Sequence, residues 1–307
     1  MNFLIPYRIT VILILLITVL FSCTSDDAKE DLQIASDIYK LPIVIHIIHL
    51  GEPIGEGNNL AQNRIMSQVQ ILNNDFRKKE GTSGYNTHIL GADTKIEFIL
   101  AEITPEGNPT NGIHRINASD IEIDSDNAEL PFDWLTQYSY WNPDNYINIW
   151  VLPVAPQNLF LGSSTFPTTD LPGLENELQT KGDGILINTP HFGESNISGN
   201  ANLGRTLTHE MGHFFGLEHL WGKRENTTCG EYDDYCDDTP PVTKRSKDCV
   251  ENIFACNEEI ALINNYMDYT ADSCMNMFTN DQVTRMRYVL ENADRRKSLI
   301  ISSAISR

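Results

Sequence analysis

Apolar positions recur along this chain in two rhythms. Pro42 to Leu50 (P-I-V-I-H-I-I-H-L) is a nearly unbroken apolar run, the pattern of a strand buried on both faces. Leu60 to Arg77 places Ile65, Val69, Leu72 and Phe76 at three- and four-residue intervals, which predicts a helix with one apolar face. Lys95 to Ile103 alternates as a second strand, and Thr104-Pro105-Glu106-Gly107 is a turn. Phe132 to Trp141 reads as a short helix and Tyr146 to Leu152 as a third strand. Gly162 to Phe166 and Gly184 to Ile187 read as short fourth and fifth strands. A further helix is expected to begin near Asn202 or Leu203. The last one, about Asp281 to Asn292, carries Val283, Met286, Val289 and Leu290 on one side. Strands alternating with helices predict an α+β chain built on a twisted mixed sheet. The sequence holds no internal repeat and no low-complexity run.

From Glu225 onward the rhythm stops and Asp, Cys, Pro and Asn take over. Of six cysteines, five (Cys229, Cys236, Cys249, Cys256 and Cys274) fall in this irregular stretch. In an exported protein such clustering implies disulfides, and an odd number leaves one thiol over. A site of cysteines binding a second zinc is the alternative, although no C-x-x-C pair occurs.

At 307 residues and 41% hydrophobic content, the chain can bury a sizeable core. The formal net charge of −20 argues against nucleic acid and against a polybasic membrane contact. The first residues read as a targeting segment. Arg8 precedes an apolar run, Ile9 to Phe21, that is too short and too early to favour a membrane-spanning helix. Leu20-Phe21-Ser22-Cys23 resembles a bacterial lipobox, which implies cleavage before Cys23 and lipid on its thiol. Thr24 to Asp31 is short, acidic and polar, a tether. Its acidic run resembles the surface-export tags of some Gram-negative lipoproteins. The expected organisation is a lipoprotein signal peptide over 1–22, a tether over 23–37 and a folded domain over 38–307. That domain would have an upper lobe to about 218 and a lower lobe beyond.

The chemistry concentrates in Thr208 to Leu220 (T-H-E-M-G-H-F-F-G-L-E-H-L). His209 and His213 stand four residues apart, one helical turn, so their imidazoles share a face and can grip one zinc ion. Glu210 is placed to point at a metal-bound water. Gly216 can adopt the left-handed backbone that ends a helix, and the chain can return His219 as a third ligand. Three protein ligands leave a position open, as catalytic zinc sites do. A lone H-E-x-x-H is compatible with ordinary helix-face histidines, but five fixed residues in H-E-x-x-H-x-x-G-x-x-H point to zinc. His46 and His49, within the first strand, read as structural. Asp233 to Thr239 (D-D-Y-C-D-D-T) packs carboxylates at a spacing that suits calcium, or makes a solvated acidic loop.

With the H-E-x-x-H-x-x-G-x-x-H string, Asn265-Tyr266-Met267-Asp268-Tyr269 resembles the zinc site and Met-turn of a metzincin. Asp238-Thr239-Pro240, the Met267 to Cys274 spacing, Phe278-Thr279, Gln282 and Arg285-Met286 are similar to the pappalysin family and its microbial ulilysin and cytophagalysin members. Ile96-Glu97-Phe98, Thr110-Asn111-Gly112-Ile113 and Asn148-Ile149-Trp150-Val151 extend the likeness over nearly everything after the tether. The resemblance implies a metzincin-type zincin fold. Its upper lobe has a mostly parallel sheet and long helices, and its irregular, disulfide-bonded lower lobe ends in a C-terminal helix. It implies Met267 beneath the metal, where core filler is the plainer reading. It also implies disulfides Cys229–Cys256 and Cys249–Cys274 with Cys236 left over, calcium near Asp234 and Thr239, and substrate pairing along an edge strand at Gly162-Ser163-Ser164.

The function implied is a zinc endopeptidase. Glu210 would act as general base on a zinc-bound water, and Tyr269 would be either an oxyanion stabiliser or a core tyrosine. Asp272, just after the Met-turn, would favour a basic substrate residue. Expected partners are protein or peptide substrates, with no nucleic acid and a lipid anchor as the sole membrane contact. The expected protein is a monomer held at the outer membrane or cell surface of a Gram-negative bacterium. Cys23 is the one cysteine upstream of the motif, so no cysteine switch is expected. The alternatives are a non-catalytic surface-binding lipoprotein on the same scaffold, or a zinc hydrolase acting on another bond.

Overall fold

A computed structural model describes residues 37–121, 131–153, 160–177, 180–249 and 254–306. The expected signal peptide, Cys23 and all of the expected tether but Asp37 lie outside the described residues. Strand β1 (Tyr39–His49) is the spine of a six-stranded sheet. Its first half pairs with β2 (Ile96–Leu100) and its second half with β3 (Ile113–Asn117), both parallel and on the same flank. On the other flank follow β4 (Ile147–Leu152) and β6 (Gly184–Asn188), again parallel. β5 (Gly162–Ser164) closes the order β2-β1-β4-β6-β5 and runs antiparallel to β6. The sheet is therefore mixed, and β5 is its edge.

Alternation sorts each strand's side chains between two faces. Leu41, Ile43, Ile45 and Ile47 of β1 join Ile147, Ile149 and Val151 of β4 and Ile185 and Ile187 of β6 on one face. Helix α1 (Gln62–Phe76) lays Ile65, Val69, Leu72 and Phe76 over that face. Helix α3 (Arg205–Phe214) packs there too, through Leu207, Met211 and Phe214. Ile48, Trp150, Leu152 and Leu186 point the other way, against Phe132 and Leu135 of α2 (Pro131–Leu135). At about 1.5–3 kcal/mol for each buried aliphatic or aromatic side chain, this double-faced burial makes the sheet a rigid base for α3.

Several boundaries differ from those expected. The second strand stops at Leu100, because Glu102 turns away and donates its N–H to the Ala304 carbonyl. β3 was not expected as a strand. The short helix near Phe132 ends at Leu135, because Trp150 Nε1–H takes the Ser139 carbonyl and the Asn148 amide clamps Trp141. Helix α3 begins at Arg205, later than expected. Gly204 before it is left-handed (φ +82°) and offers no side-chain cap. Helix α4 (Asn280–Asn292) starts on a capping box, with Thr279 and Gln282 each accepting from the other's backbone N–H. The irregular stretch between α3 and α4 is tied by disulfides Cys229–Cys256 and Cys249–Cys274, and Cys236 is buried and free. Among the described residues no helix is long and apolar enough to cross a membrane.

Candidate metal centre

All ten residues of α3 are buried, including the polar ones. The helix must therefore satisfy its donors internally. Its N-terminus is capped from a distance: Asp272 Oδ2 accepts from the Leu203 and Arg205 N–H groups at 2.7 and 3.2 Å. Asp75 of α1 holds the same end, accepting from Thr208 Oγ1 at 2.8 Å and Arg205 Nη2 at 3.3 Å. The helix stops at Phe214, and Gly216 at φ +85° turns the chain back. His219 then returns to face the helix.

His209, His213 and His219 converge. Their Nε2 atoms lie 3.1 Å (209–213), 3.2 Å (213–219) and 3.3 Å (209–219) apart. His209 Nδ1–H donates to the Tyr266 carbonyl and His213 Nδ1–H to the Leu217 carbonyl, both at 2.6 Å. Those bonds set the tautomer and leave each Nε2 with a lone pair. Burial holds His209 down to about 4 and His213 to about 3, and lowers His219 as well, so all three are neutral near pH 7. Three lone pairs pressed together repel unless a cation lies among them. Tetrahedral ligands at the usual zinc–nitrogen length of about 2.0–2.1 Å stand about 3.3 Å from one another. The histidines fit a zinc ion, and among the described residues they form the one cluster spaced to hold a metal.

Met267 is buried against Gly212 of α3. Its turn is braced by Asn265, whose Oδ1 accepts from the Met267 N–H and from Gln282 Nε2. Thus Gln282, which caps α4, also braces the turn that carries Met267. Glu210 is 7% exposed, and burial pushes its carboxyl up to about 8. Gly162 of β5 lies against it; a Cβ there would come 2.8 Å from Glu210 Cγ. Tyr269 is 41% exposed and stands with its ring centroid 4.9 Å from His219 and 5.3 Å from His209. Burial and the Glu210 charge push its hydroxyl up to about 12, against the lowering effect of Arg245.

Two openings meet at Gly162, Glu210 and Tyr269. One of about 600 Å3 is bounded by Asn200, Arg245, Lys247 and Met275; the other, of about 360 Å3, by Ser164, Glu177 and Lys223. Asp272 is on the wall of the larger, though its carboxylate is 4% exposed and engaged with the helix start. Asp234 and Thr239 stand apart from the histidines and hydrogen-bond to each other at 2.7 Å. Sequence reasoning passed over Asp75 and Gly212, and it read Gly162 as part of an edge strand but not as the neighbour of Glu210; these contacts are distant along the chain or set by the fold.

Residues 133–291 match the family model Peptidase M43, described as pregnancy-associated plasma protein-A. The match spans more than half of the chain, and the protein belongs to this family, the pappalysins. An extracellular metalloprotease of Arthroderma benhamiae is 37% identical over 142 residues, 46% of this chain and 46% of its own. One of Arthroderma gypseum is 27% identical over 234 residues, 76% of this chain and 67% of its own. The chain spans about half the length of the first relative. Mature mirolysin of Tannerella forsythia, solved with a cleaved peptide, superposes with a TM-score of 0.70 at 30% identity. That match covers 87% of this chain and 97% of mirolysin. A promirolysin mutant of the same organism gives 0.72, with 87% and 86% covered. The expected metzincin-type α+β fold and family are therefore confirmed, and the family implies a metal.

Proposed function

We propose that this protein is a zinc endopeptidase, exported and anchored by lipid at Cys23. The convergence of the three Nε2 lone pairs carries the reading, and His209, His213 and His219 would hold the zinc. A bound zinc supplies Lewis acidity, which polarises a scissile carbonyl and acidifies water. Glu210 lies in reach of the same opening with a proton affinity near neutrality. It accepts the proton of the attacking water and returns it to the leaving amine. Tyr269 keeps its proton at neutral pH and offers a hydrogen bond to the developing oxyanion. The outer edge of β5 receives an extended peptide as an added strand. Met267 supports the histidines from below.

Export is supported by the apolar segment Ile9 to Phe21 and by relatives named extracellular. Calcium at Asp234 and Thr239 has the weaker support, because these two residues already satisfy each other. The test compares the parent with Glu210→Gln on unfolded casein, with zinc and calcium counted in both. Cleavage lost in a variant that keeps its zinc supports the reading. Zinc bound equally, with no cleavage by either, replaces it with the surface-binding alternative or with a different scissile bond.

A further inference from the structure

The three histidines are not held alike. His209 and His213 each donate Nδ1–H to a backbone carbonyl at 2.6 Å. Such a bond on the far nitrogen is how metal-binding histidines are usually oriented. Among the described residues no acceptor faces His219 Nδ1; its polar contacts run through Nε2. Its ring instead lies flat on Trp221, with centroids 4.5 Å apart and planes 10° from parallel. A tight turn sets up the stack, since Gly222 N–H donates to the His219 carbonyl at 2.8 Å with Gly222 at φ +69°. Trp221 cannot swing away. It is 4% exposed, and Tyr269 stands edge-on to it at 5.0 Å and 82°. Tyr269 is covered in turn by the Arg245 guanidinium at 4.9 Å, which donates to both carboxylate oxygens of Glu225.

We propose that Trp221 is a positioning residue for the metal. Its indole face fixes the plane of His219, as the carbonyl bonds fix His209 and His213. The inference rests on the histidines being zinc ligands. It also places Arg245 and Glu225 at the outer end of one run of ring contacts, His219–Trp221–Tyr269–Arg245, so the third histidine and the tyrosine share one support.

The test titrates zinc into metal-free parent, Trp221→Leu and Trp221→Phe against a fluorescent chelator. Cobalt absorption spectra and the melting temperatures of the metal-free forms are recorded alongside. Loss of the ring should weaken zinc about tenfold or more and alter the cobalt spectrum. Phenylalanine should restore most of both. A merely structural tryptophan would lower the metal-free melting temperature and leave the zinc constant alone. A Trp221→Leu protein with the parent's constant and spectrum overturns the proposal. Should Trp221→Leu fail to fold, histidine-labelled NMR on the zinc-loaded parent decides. One Nδ1 proton exchanging with water faster than the other two is expected, and three equally protected protons overturn the idea. A parent that binds no zinc removes the functional reading itself, whereas tight zinc indifferent to Trp221 removes this inference alone.

Discussion

The sulfur of Met267 occupies the space that a side chain at Gly212 would need: a Cβ there would lie 2.5 Å from Met267 Sδ. Glycine inside a helix ordinarily costs about 0.5–1 kcal/mol relative to alanine. Here the sign should reverse. Gly212→Ala is expected to lose about 1–3 kcal/mol through overpacking. Combining it with Met267→Ala should cost less than the sum of the two single changes. Urea melts of the four-member cycle measure the coupling; strict additivity would mean that the contact is not what selects glycine.

Gly162→Ala should act on activity rather than on metal. Its Cβ would press on Glu210 Cγ at 2.8 Å and Oε1 at 3.0 Å, and on Ile187 Cδ1 at 3.0 Å. The Glu210 and Ile187 side chains would have to shift, and no histidine is among these contacts. The expected outcome is a 10–100-fold fall in kcat, since misplacing a proton-transfer group by about 1 Å has effects of that order. Zinc content should remain at the parent's level. Activity and zinc lost together would contradict this account.

Asp234 gives a pH signature. Thr239 Oγ1 lies 2.7 Å from both Asp234 Oδ2 and the Cys236 carbonyl, yet has one proton to give. Asp234 also accepts from the Cys236 N–H at 3.2 Å. Burial pushes Asp234 from 3.8 up to about 7, against the lowering effect of the hydrogen bonds from Thr239 and the Cys236 N–H. Because the folded value is raised, this group's stabilisation is complete below about pH 4 and is lost as pH rises through 7. Asp234→Asn should remove that slope and gain on the order of 2–4 kcal/mol above pH 7 relative to the parent. The check is a pair of denaturation series from pH 4 to 8 in chelator. An Asp234 that serves calcium would instead be stabilised by added calcium, and the asparagine variant would lose that gain.

Arg296 clamps the far end of α3. It donates to the Phe214 carbonyl and pairs with Asp183 through two nitrogens at 2.6 and 3.0 Å, and its guanidinium covers the Phe214 ring. Removing one partner strands the other charge in the core, which typically costs about 3–5 kcal/mol. Asp183→Asn and Arg296→Met are each expected to destabilise on that scale. The double variant should be milder than the two added together. Thermal melts suffice to tell, and single variants that melt like the parent would show the pair to be idle.

Much of this was legible before the fold. The apolar run at Pro42 to Leu50 and the periodicity from Leu60 to Arg77 located β1 and α1 because local pattern alone decides such elements. The histidine spacing located the centre for the same reason. β3 escaped because Ile113-His114-Arg115-Ile116-Asn117 is largely half-exposed and carries no alternation; pairing with β1 makes it a strand. The start of α3 escaped because its cap, Asp272, lies 67 residues from Arg205. Trp221 escaped because a stacked ring leaves no spacing rule to read.

The brevity of β5 has a consequence for association. An open sheet edge invites any extended chain, including another copy of the same protein. This edge is three residues long, Gly162-Ser163-Ser164, with no apolar side chain to bury. It is too short a template for copies to zip together. The same shortness limits what backbone pairing can contribute to holding a peptide. On the proposed reading, retention would come from the openings that meet at Glu210, and discrimination among substrates would be set by side chains rather than by the ladder.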